Sequence, residues 1–289
     1  MGGRQVLYER MTWPEVREAA RADMVVLIPM GAIEQHGFHL PLDVDIRIAR
    51  EVCLRAARRS EHALVMAPLV FGFETHHMDW PGTIDVDWDV LVRYGTCVTA
   101  SLARHGFRRL LIVNGHGSNR PLLDLICRLT AIRHPEVLCA GQSWFHLSDV
   151  TALFNELRES DLSSHADELE TSAYLAIDPD AVDMTKAVRD TTFRRSPHVW
   201  SDLAGQKPGP EAKAPLVMME HFSTGSISGV RGDPTKATAE KGERLLEAAA
   251  DEIAAIVSEL RAREIRPPVD YHGFEVEELR RRLREQDGG

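Results

Sequence analysis

The sequence has few cysteines and no long hydrophobic run. Its 289 residues include four cysteines, and none of them has the Cys-x-x-Cys spacing of a zinc ribbon. This usage predicts buried free thiols in a reducing compartment. The longest apolar run, residues 25–33, is interrupted by Pro29 and Gly31 and is far shorter than the ~18 residues of a membrane span. Because the residues up to Arg10 also show no signal-peptide pattern, we expect a cytoplasmic protein outside the membrane.

The sequence also lacks an excess of positive charge. It has 34 Lys and Arg against 44 Asp and Glu, for a net charge of −10 and a pI near 5.7. The one dense basic cluster, residues 280–284, is interleaved with Glu277, Glu278 and Glu285. We therefore expect neither nucleic acid nor a membrane surface as a partner.

Three catalytic or nucleotide-binding motifs are missing. Neither G-x-G-x-x-G nor G-x4-G-K-[ST] occurs, which disfavours a nucleotide cofactor. The G-x-S-x-G elbow of serine hydrolases is absent as well, because residues 141–145 lack the second glycine. These absences direct attention to histidines and carboxylates.

Strand-like and helix-like segments alternate in the first half of the chain. Apolar runs predict strands over residues 24–30, 63–70, 109–114 and 137–142, and 3.6-residue periodicity predicts helices over 45–59, 87–105 and 121–133. Strands that are apolar throughout are typical of a parallel sheet covered on both faces. We predict an α/β fold: a single three-layer domain over residues 1–265, with a mostly parallel sheet flanked by helices.

The second half of the chain is less regular. A helix is predicted over residues 166–177, ending before Pro179. Residues 191–216 contain four prolines and predict a long irregular loop, a feature that is often functional. A long helix is predicted from Asp233-Pro234 to about residue 263. Residues 266–289 are predicted to form a C-terminal helical extension.

Histidines and carboxylates follow two of the predicted strands. Glu34, His36 and Asp45 come after the first strand, and His116 comes after the third. Because the carboxyl ends of parallel strands meet at one edge, these side chains are expected to lie together. Such a mixed set suits zinc, manganese or iron, and a bridging Asp45 would allow two ions. The alternative is ordinary surface polarity, which is what an isolated Glu-x-His usually represents.

Two further segments offer candidate site residues. His76 and His77 lie beside Trp80 in the loop after the second strand, which suits a pocket wall or ordinary loop packing. His165 and Glu170 would lie about 140° apart on a helix, so they can share a site only if His165 precedes the first turn. A solvated helix start is the alternative for this pair.

Several motifs together resemble one known family. Residues 34–37 read Glu-Gln-His-Gly, residues 81–83 read Pro-Gly-Thr and residues 114–116 read Asn-Gly-His, and they are followed by the segment 229–242. In this order they resemble the creatininase family of metal-dependent amidohydrolases over about residues 24–260. The resemblance implies a compact α/β fold, a binuclear metal centre, hydrolysis of small amide C–N bonds and often a hexamer.

The resemblance also implies roles for individual residues. Glu34 and His36 would each bind one of two divalent ions (zinc, manganese or iron), and Asp45 would bridge both. His116 would join Glu34 on its ion. The position of His165 corresponds to the proton-shuttling histidine of the family.

One position departs from the family pattern. Creatinine hydrolases resemble Asn-Gly-His-x-Glu-Asn, whereas this chain has Ser118 in place of the metal-binding glutamate. Glu170 is our candidate replacement, with Glu168 as the second choice. Creatinine itself is therefore not the expected substrate.

These observations predict a metal-dependent hydrolase that breaks a non-peptide C–N bond in a small cyclic amide or formamide, with His165 moving the proton. His77, Trp80, Ser118 and Trp144 are predicted to line the substrate pocket. The alternatives are a peptidase or deformylase of a cofactor-biosynthesis pathway, and a metal-stabilised structural or regulatory protein without turnover. A homo-oligomer is expected, with a hexamer favoured.

Overall fold

Four parallel strands form the central sheet of this computed structural model, which describes residues 4–287. The strand order is β2-β1-β3-β4, and all three pairings are parallel. The strands are β1 Val25–Met30, β2 Ala63–Val65, β3 Arg109–Asn114 and β4 Leu138–Ser143. Residues 1–3 of the predicted domain and 288–289 of the predicted extension lie outside the described residues.

Helices cover both faces of the sheet, as the continuous apolar strands predict. Val25 and Leu27 of β1 belong to a buried cluster on one face of the sheet, whereas Val26 and Ile28 belong to a second buried cluster on the other face. This arrangement confirms the predicted α/β fold with a helix-flanked parallel sheet. The helices are α1 Trp13–Arg21, α2 Val44–Arg59, α3 Trp88–Arg104, α4 Arg120–Arg133, α5 Ser148–Leu157, α6 Glu168–Ile177, α7 Ala239–Ala262 and α8 Val276–Asp287.

A two-stranded antiparallel ribbon lies outside the main sheet. It consists of β5 Ser163–His165 and β6 Arg231–Gly232, with His165 directly opposite Arg231. The segment between α6 and β6 contains short 3₁₀ turns, and residues 191–216 are irregular as predicted.

Two predicted element boundaries are wrong. The second strand ends at Val65 and not at residue 70, because the chain then passes through Pro68, which has no N–H for the ladder. The long helix begins at Ala239 and not at Pro234. Pro234–Lys236 form a separate 3₁₀ turn, and Thr238 caps the helix by accepting from Lys241 N–H.

The C-terminal region of the described chain is helical over α8. A domain boundary at residue 265 stays a prediction. No helix among residues 4–287 combines the length and the apolar character that crossing a membrane requires. The cytoplasmic location stays a prediction too.

Candidate metal centre and active site

The loops after β1 and β3 bring four predicted site residues together at the carboxyl edge of the sheet. Glu34, His36, Asp45 and His116 are all at most 4% exposed. Nδ1 of His116 lies 3.1 Å from Glu34 Oε1 and 3.1 Å from Asp45 Oδ2. Nε2 of His36 lies 3.4 Å from Asp45 Oδ1. The two loops therefore converge on one buried cluster.

A glycine after β3 makes this convergence possible. A Cβ atom at position 115 would collide with the backbone carbonyl of Asp45. The first turn of α2 thus lies directly against the end of β3, which places the Asp45 side chain beside His116. Gly31 has a related role, since a Cβ there would lie 2.7 Å from Ile46 N.

Asp45 belongs to one set of possible metal ligands and also contacts a second set. In the first set, ligand atoms of Glu34, Glu74 and His116 lie within 4.8 Å of one another, and in the second set the same holds for His36, Asp45 and Glu170. Asp45 Oδ2 faces His116 of the first set, whereas Oδ1 faces His36 of the second. This is the geometry of a carboxylate that can be shared by two cations.

The cluster contains an unusual concentration of buried polar atoms without hydrogen-bond partners. Nε2 of His116 and Oε1 of Glu74 are only 2.7 Å apart, yet neither makes a hydrogen bond of acceptable geometry to any described residue. Buried polar groups are normally satisfied, so such atoms require an explanation. The complete set at this position is Glu34 Oε2, His36 Nε2, Asp45 Oδ2, both carboxylate oxygens of Glu74, and His116 Nε2. These atoms converge as ligands around cations do, and the residues therefore fit divalent ions.

The second ring nitrogen of His36 supports the same conclusion. Nδ1 of His36 lies 3.2 Å from the backbone carbonyl of Glu34, so Nδ1–H donates to it. Nε2 then faces the carboxylates of Asp45, Glu34 and Glu170, which could share a cation with it. Metal-binding histidines are typically oriented by such a bond from the second nitrogen.

Burial and mutual repulsion shift the pKa values in this cluster. Burial raises the pKa of Glu34 and of Glu170 well above the usual value, and neighbouring carboxylates add to both shifts. Burial opposes protonation of His36, but contact with Asp45 outweighs it and raises the pKa to about 10. Glu34 and Glu170 therefore lack sufficient positive charge in their surroundings, a deficit that divalent cations would remove.

Glu170 reaches the cluster because His165 lies outside helix α6. His165 ends β5, Asp167 caps α6 by accepting from the N–H groups of Leu169 and Glu170, and Ala166 between them has φ +49°. The N–H of Ala166 donates to Glu170 Oε2 at 2.6 Å. That oxygen lies 3.9 Å from His36 Nε2, on the side of the second ligand set.

Glu168 is not available as a ligand, which corrects the second choice made from the sequence. Its carboxylate is paired with Lys241 Nζ at 2.7 Å and accepts from the N–H groups of Glu159 and Ser160. Glu168 and Glu170 are two residues apart on α6, so their side chains point about 200° apart around the helix axis. Glu168 therefore ties α6 to α7.

His165 lies at the edge of the cluster. Its Nε2–H donates to the carbonyl of Gln35 at 2.8 Å, which leaves Nδ1 free and 3.7 Å from Glu34 Oε1. The Gln35 amide then donates to Gly229 O and to His77 Nδ1. Burial lowers the pKa of His165 well below its usual value, and positive charge on His36 adds to the effect. A neutral imidazole with a free nitrogen is suited to accept a proton.

A cavity of about 240 Å³ opens onto this cluster. His77 and Ser118 belong to its wall, and the His77 ring stacks on Phe222 at 4.2 Å. The irregular loop over residues 191–216 supplies much of the opposite wall. The lining also contains His76, Phe193, Trp200, Leu216, Met218, Met219, Glu220 and Arg231.

Two predicted pocket residues are placed differently. Trp144 is 1% exposed, packs in the core cluster on the α2 face and is not part of the cavity wall. Its apolar ring is used for core packing beneath the end of β4. Trp80 is not in the cavity wall and instead meets the edge of Phe222 at 5.9 Å.

Sequence reasoning missed several residues of the site. Glu74 is fully buried in the first ligand set, and its place two residues before His76 was a usable signal. Phe222 and Arg231 carry no such signal, because their positions depend on the path of an irregular segment.

The fold and the buried ligand sets agree with one known family of proteins. The family model described as creatinine amidohydrolase matches residues 9–257. The chain therefore belongs to the creatininase family, which confirms the resemblance found in the motifs.

Curated relatives place the chain among hydrolases. It is 30% identical over 272 residues to creatinine amidohydrolase of Pseudomonas putida, with 89% of this chain and 97% of that protein covered. It is 28% identical to 3-dehydro-scyllo-inosose hydrolase of Thermotoga maritima, covering 89% and 84%. It is 30% identical to mycofactocin precursor peptide peptidase of Mycolicibacterium smegmatis, covering 76% and 79%. The protein is thus a creatininase-family hydrolase, and the three relatives have three different substrates.

Solved structures agree with this assignment. A crystal structure of creatinine amidohydrolase matches with a TM-score of 0.72 and 28% identity, covering 92% of this chain and 100% of that one. A structure described as creatininase with Mn matches with a TM-score of 0.70 and 28% identity, covering 89% and 98%. A creatininase variant of the Zn-Zn type matches with a TM-score of 0.70 and 29% identity, covering 89% and 98%.

Proposed function

We propose that this protein hydrolyses a C–N amide bond in a small substrate, using two divalent ions bound at the carboxyl edge of the sheet. The observation that carries the proposal is the convergence of unpartnered buried atoms from Glu34, His36, Asp45, Glu74 and His116. The similarity to creatininase structures of the Mn and Zn-Zn types supports the metal assignment.

The two ligand sets divide the proposed ions between them. Glu34, Glu74 and His116 would hold one ion, and His36 and Glu170 would hold the other. Asp45 would bridge them through its two oxygens. Glu170 would supply the carboxylate that the family pattern places at the position of Ser118. Zinc, manganese and iron all accept such oxygen and imidazole ligands.

When bound, divalent ions supply Lewis-acid activation of an attacking water and of the amide carbonyl. The residues of the chain supply the proton path. His165 accepts the proton of the attacking water at Nδ1, which faces the cluster, and returns it to the departing nitrogen. The hydrogen bond from Nε2–H to Gln35 O keeps this orientation.

The cavity indicates a small substrate. Its volume of about 240 Å³ is below the ~300 to 1,000 Å³ of common ligand pockets. The rings of His77, His165 and Phe222 line this small cavity, which suits a compact cyclic amide or formamide.

A peptidase is the second candidate function. It is favoured by the similarity to mycofactocin precursor peptide peptidase and by exposed apolar residues at the cavity mouth. Leu216, Val217, Met218 and Met219 are all at least 50% exposed and would contact a peptide that extends out of the cavity.

A homo-oligomer, with a hexamer favoured, also belongs to this proposal. Several large apolar side chains outside the cavity are exposed, which supports an interface between copies. They include Trp88, Val90 and Tyr94 on α3, and Phe38 and Phe71 on loops. The mass of the protein in solution, measured by light scattering, tests the oligomeric state.

The test of function combines metal analysis with a substrate panel. Protein loaded with zinc, manganese or iron is assayed against lactams, formamides, ureides and short peptides, and the bound metal is measured on the same samples. Chelator-sensitive hydrolysis of a small amide supports the proposal. Peptide cleavage alone would favour the second candidate. Bound metal with no hydrolysis of any kind would favour a structural or regulatory role.

A further inference from the structure

Arg231 is a cavity residue to which the proposed reaction gives no role. It forms β6 with Gly232 and is paired directly with His165 of β5. Residues directly opposite each other in an antiparallel ribbon have their side chains on the same face. The register therefore places the guanidinium on the side of the ribbon that carries the proposed proton-transfer group, and Arg231 lines the cavity.

Two aromatic rings hold the guanidinium in a defined orientation. Its central carbon lies 3.8 Å from the ring centre of Phe222 and 4.5 Å from that of Phe193. The Phe222 ring also stacks on His77. Because two planar groups cannot occupy one face of a ring at such distances, Arg231 and His77 lie on opposite faces of Phe222. The Phe222 ring thus sets the distance between the Arg231 guanidinium and the histidine cluster.

The guanidinium of Arg231 makes no ion pair with the side chains that the structure describes. No carboxylate oxygen of a described side chain lies within 4.0 Å of its nitrogens, and its buried Nε has no hydrogen-bond partner there. Its one hydrogen bond is a 3.4 Å contact from Nη2 to Phe222 O. A guanidinium has five N–H donors, so most of them have no partner among the described residues.

The two nearest acidic residues do not neutralise it. Asp190 Oδ2 is occupied by donors from Ser226, Ile227 and Ser228. Glu220 is an exposed residue of the cavity lining and makes no ion pair with the guanidinium within 4.0 Å, although its negative charge raises the pKa of Arg231. Burial lowers the pKa of Arg231 to about 10, so the side chain remains a cation at neutral pH.

We propose that Arg231 binds a carboxylate of the substrate, so that the protein acts on small amides that carry a negative charge. A planar guanidinium with free N–H groups matches a carboxylate through two parallel hydrogen bonds. The amide carbonyl then reaches the metal ligands and His165 while the carboxylate lies against Arg231. Lactam carboxylates and N-acyl amino acids have this chemistry. The inference rests on the proposed amide hydrolysis and adds the charge of its substrate.

The test uses pairs of probes that differ only in the carboxylate. Pyroglutamate is compared with pyrrolidinone, and N-formylglycine with N-methylformamide. Binding to the metal-loaded protein is measured by calorimetry, and kcat/KM is measured for any probe that is hydrolysed. The variants are Arg231→Ala, Arg231→Lys and Glu220→Gln, and Arg244→Ala on α7 is the control because it lies on the surface.

Wild-type protein is expected to prefer the charged member of each pair. Arg231→Ala should weaken binding of the charged member by about 10- to 100-fold and leave the neutral member unchanged. Arg231→Lys should retain part of the preference, because it keeps the charge but loses the paired geometry. Glu220→Gln should strengthen binding of the charged probes, since it removes a negative charge at the rim. Arg244→Ala should have no effect.

Three outcomes overturn the inference: no preference for the charged probes, no binding of them at all, or a preference that persists in Arg231→Ala. Circular dichroism and bound metal show whether Arg231→Ala is folded. If that variant is unfolded, the partial loss of preference expected for Arg231→Lys tests the inference instead. If neither member of a pair is hydrolysed but binding depends on Arg231, the result supports the carboxylate-binding site and contradicts the proposed amide hydrolysis. If both members are hydrolysed equally well, hydrolysis stands and the inference fails.

Discussion

Glu74 Oε1 lies 2.7 Å from Nε2 of His116, although the two residues come from loops after different strands. Both are buried, and both atoms lack a hydrogen bond to the described residues. Two buried atoms of this kind, each without a hydrogen-bond partner, fit ligation of one cation. Glu74 is therefore as much a part of the proposed centre as the histidine.

Replacing Glu74 with Gln should weaken binding of one of the two ions. The amide keeps the shape of the side chain but removes the negative charge, so the metal affinity should fall by at least ~10- to 100-fold. Competition with a calibrated chelator, followed by elemental analysis, measures this. Glu136→Gln, on the exposed turn before β4, is the control. Unchanged metal content and affinity in Glu74→Gln would show that this carboxylate is not a ligand.

Replacing His165 with Ala should reduce turnover by about 10² to 10⁴ and leave both ions bound. The reason is that His165 Nδ1 is placed to move a proton, while its Nε2–H is used by Gln35 O. Steady-state kinetics and metal analysis on the same preparation give the two readouts. His105→Ala, at the exposed end of α3, should change neither. Loss of an ion in His165→Ala would identify His165 as a ligand, a role that its distance to Glu34 and His36 also permits.

Gly115→Ala should displace the first turn of α2 and with it Asp45. The added methyl group would collide with the Asp45 carbonyl, and a backbone atom cannot move aside as a side chain does. We expect a loss of about 1 to 3 kcal/mol in the free energy of unfolding together with weaker metal binding. Denaturant unfolding and metal titration measure the two effects. Gly117→Ala is a matched control two residues away, since nothing lies within 4 Å of a Cβ there. Equal behaviour of the two variants would contradict this account of how Asp45 is placed.

Asp190 should make stability depend on pH in the acid range. Burial opposes its ionisation, but hydrogen bonds from Ser228 and Thr192 outweigh burial and hold its pKa below the ordinary 3.8. A lowered folded-state pKa stabilises the fold above pH ~4, and this contribution is lost as the pH falls through the folded-state value. Asp190→Asn should therefore be less stable than wild type at pH 7, and the difference should shrink in strong acid. Thermal unfolding across pH measures it, with exposed Asp180→Asn as the control. A difference that does not change with pH would contradict the prediction.

Much of the fold was predictable because its signals are local. The run over Arg109–Asn114 is apolar and ends in Asn-Gly-His, so both the strand and the position of His116 at its end follow from neighbouring residues. The early part of the second strand was predictable for the same reason, but the pairing with β1 is interrupted around Pro68 and resumes only at Leu69.

The rest of the site depends on contacts between distant segments. Glu168 and Glu170 are nearly equivalent in sequence, and only the position of Lys241 on α7 shows that Glu168 is already paired. Trp144 looks like a pocket residue until the core behind β4 is known. Arg231 acquires its place from pairing with His165 and from Phe222, neither of which has a periodic signal.

The central claim is that one buried cluster holds two cations with Asp45 between them. Elemental analysis of wild-type protein and Asp45→Asn, each dialysed against the same trace of zinc or manganese, tests it most directly. We expect two ions per chain in wild type, and a loss of both or a steep fall in the affinity for both in Asp45→Asn. Two ions that remain tightly bound without the Asp45 carboxylate, or no ion in folded wild-type protein, would contradict the account.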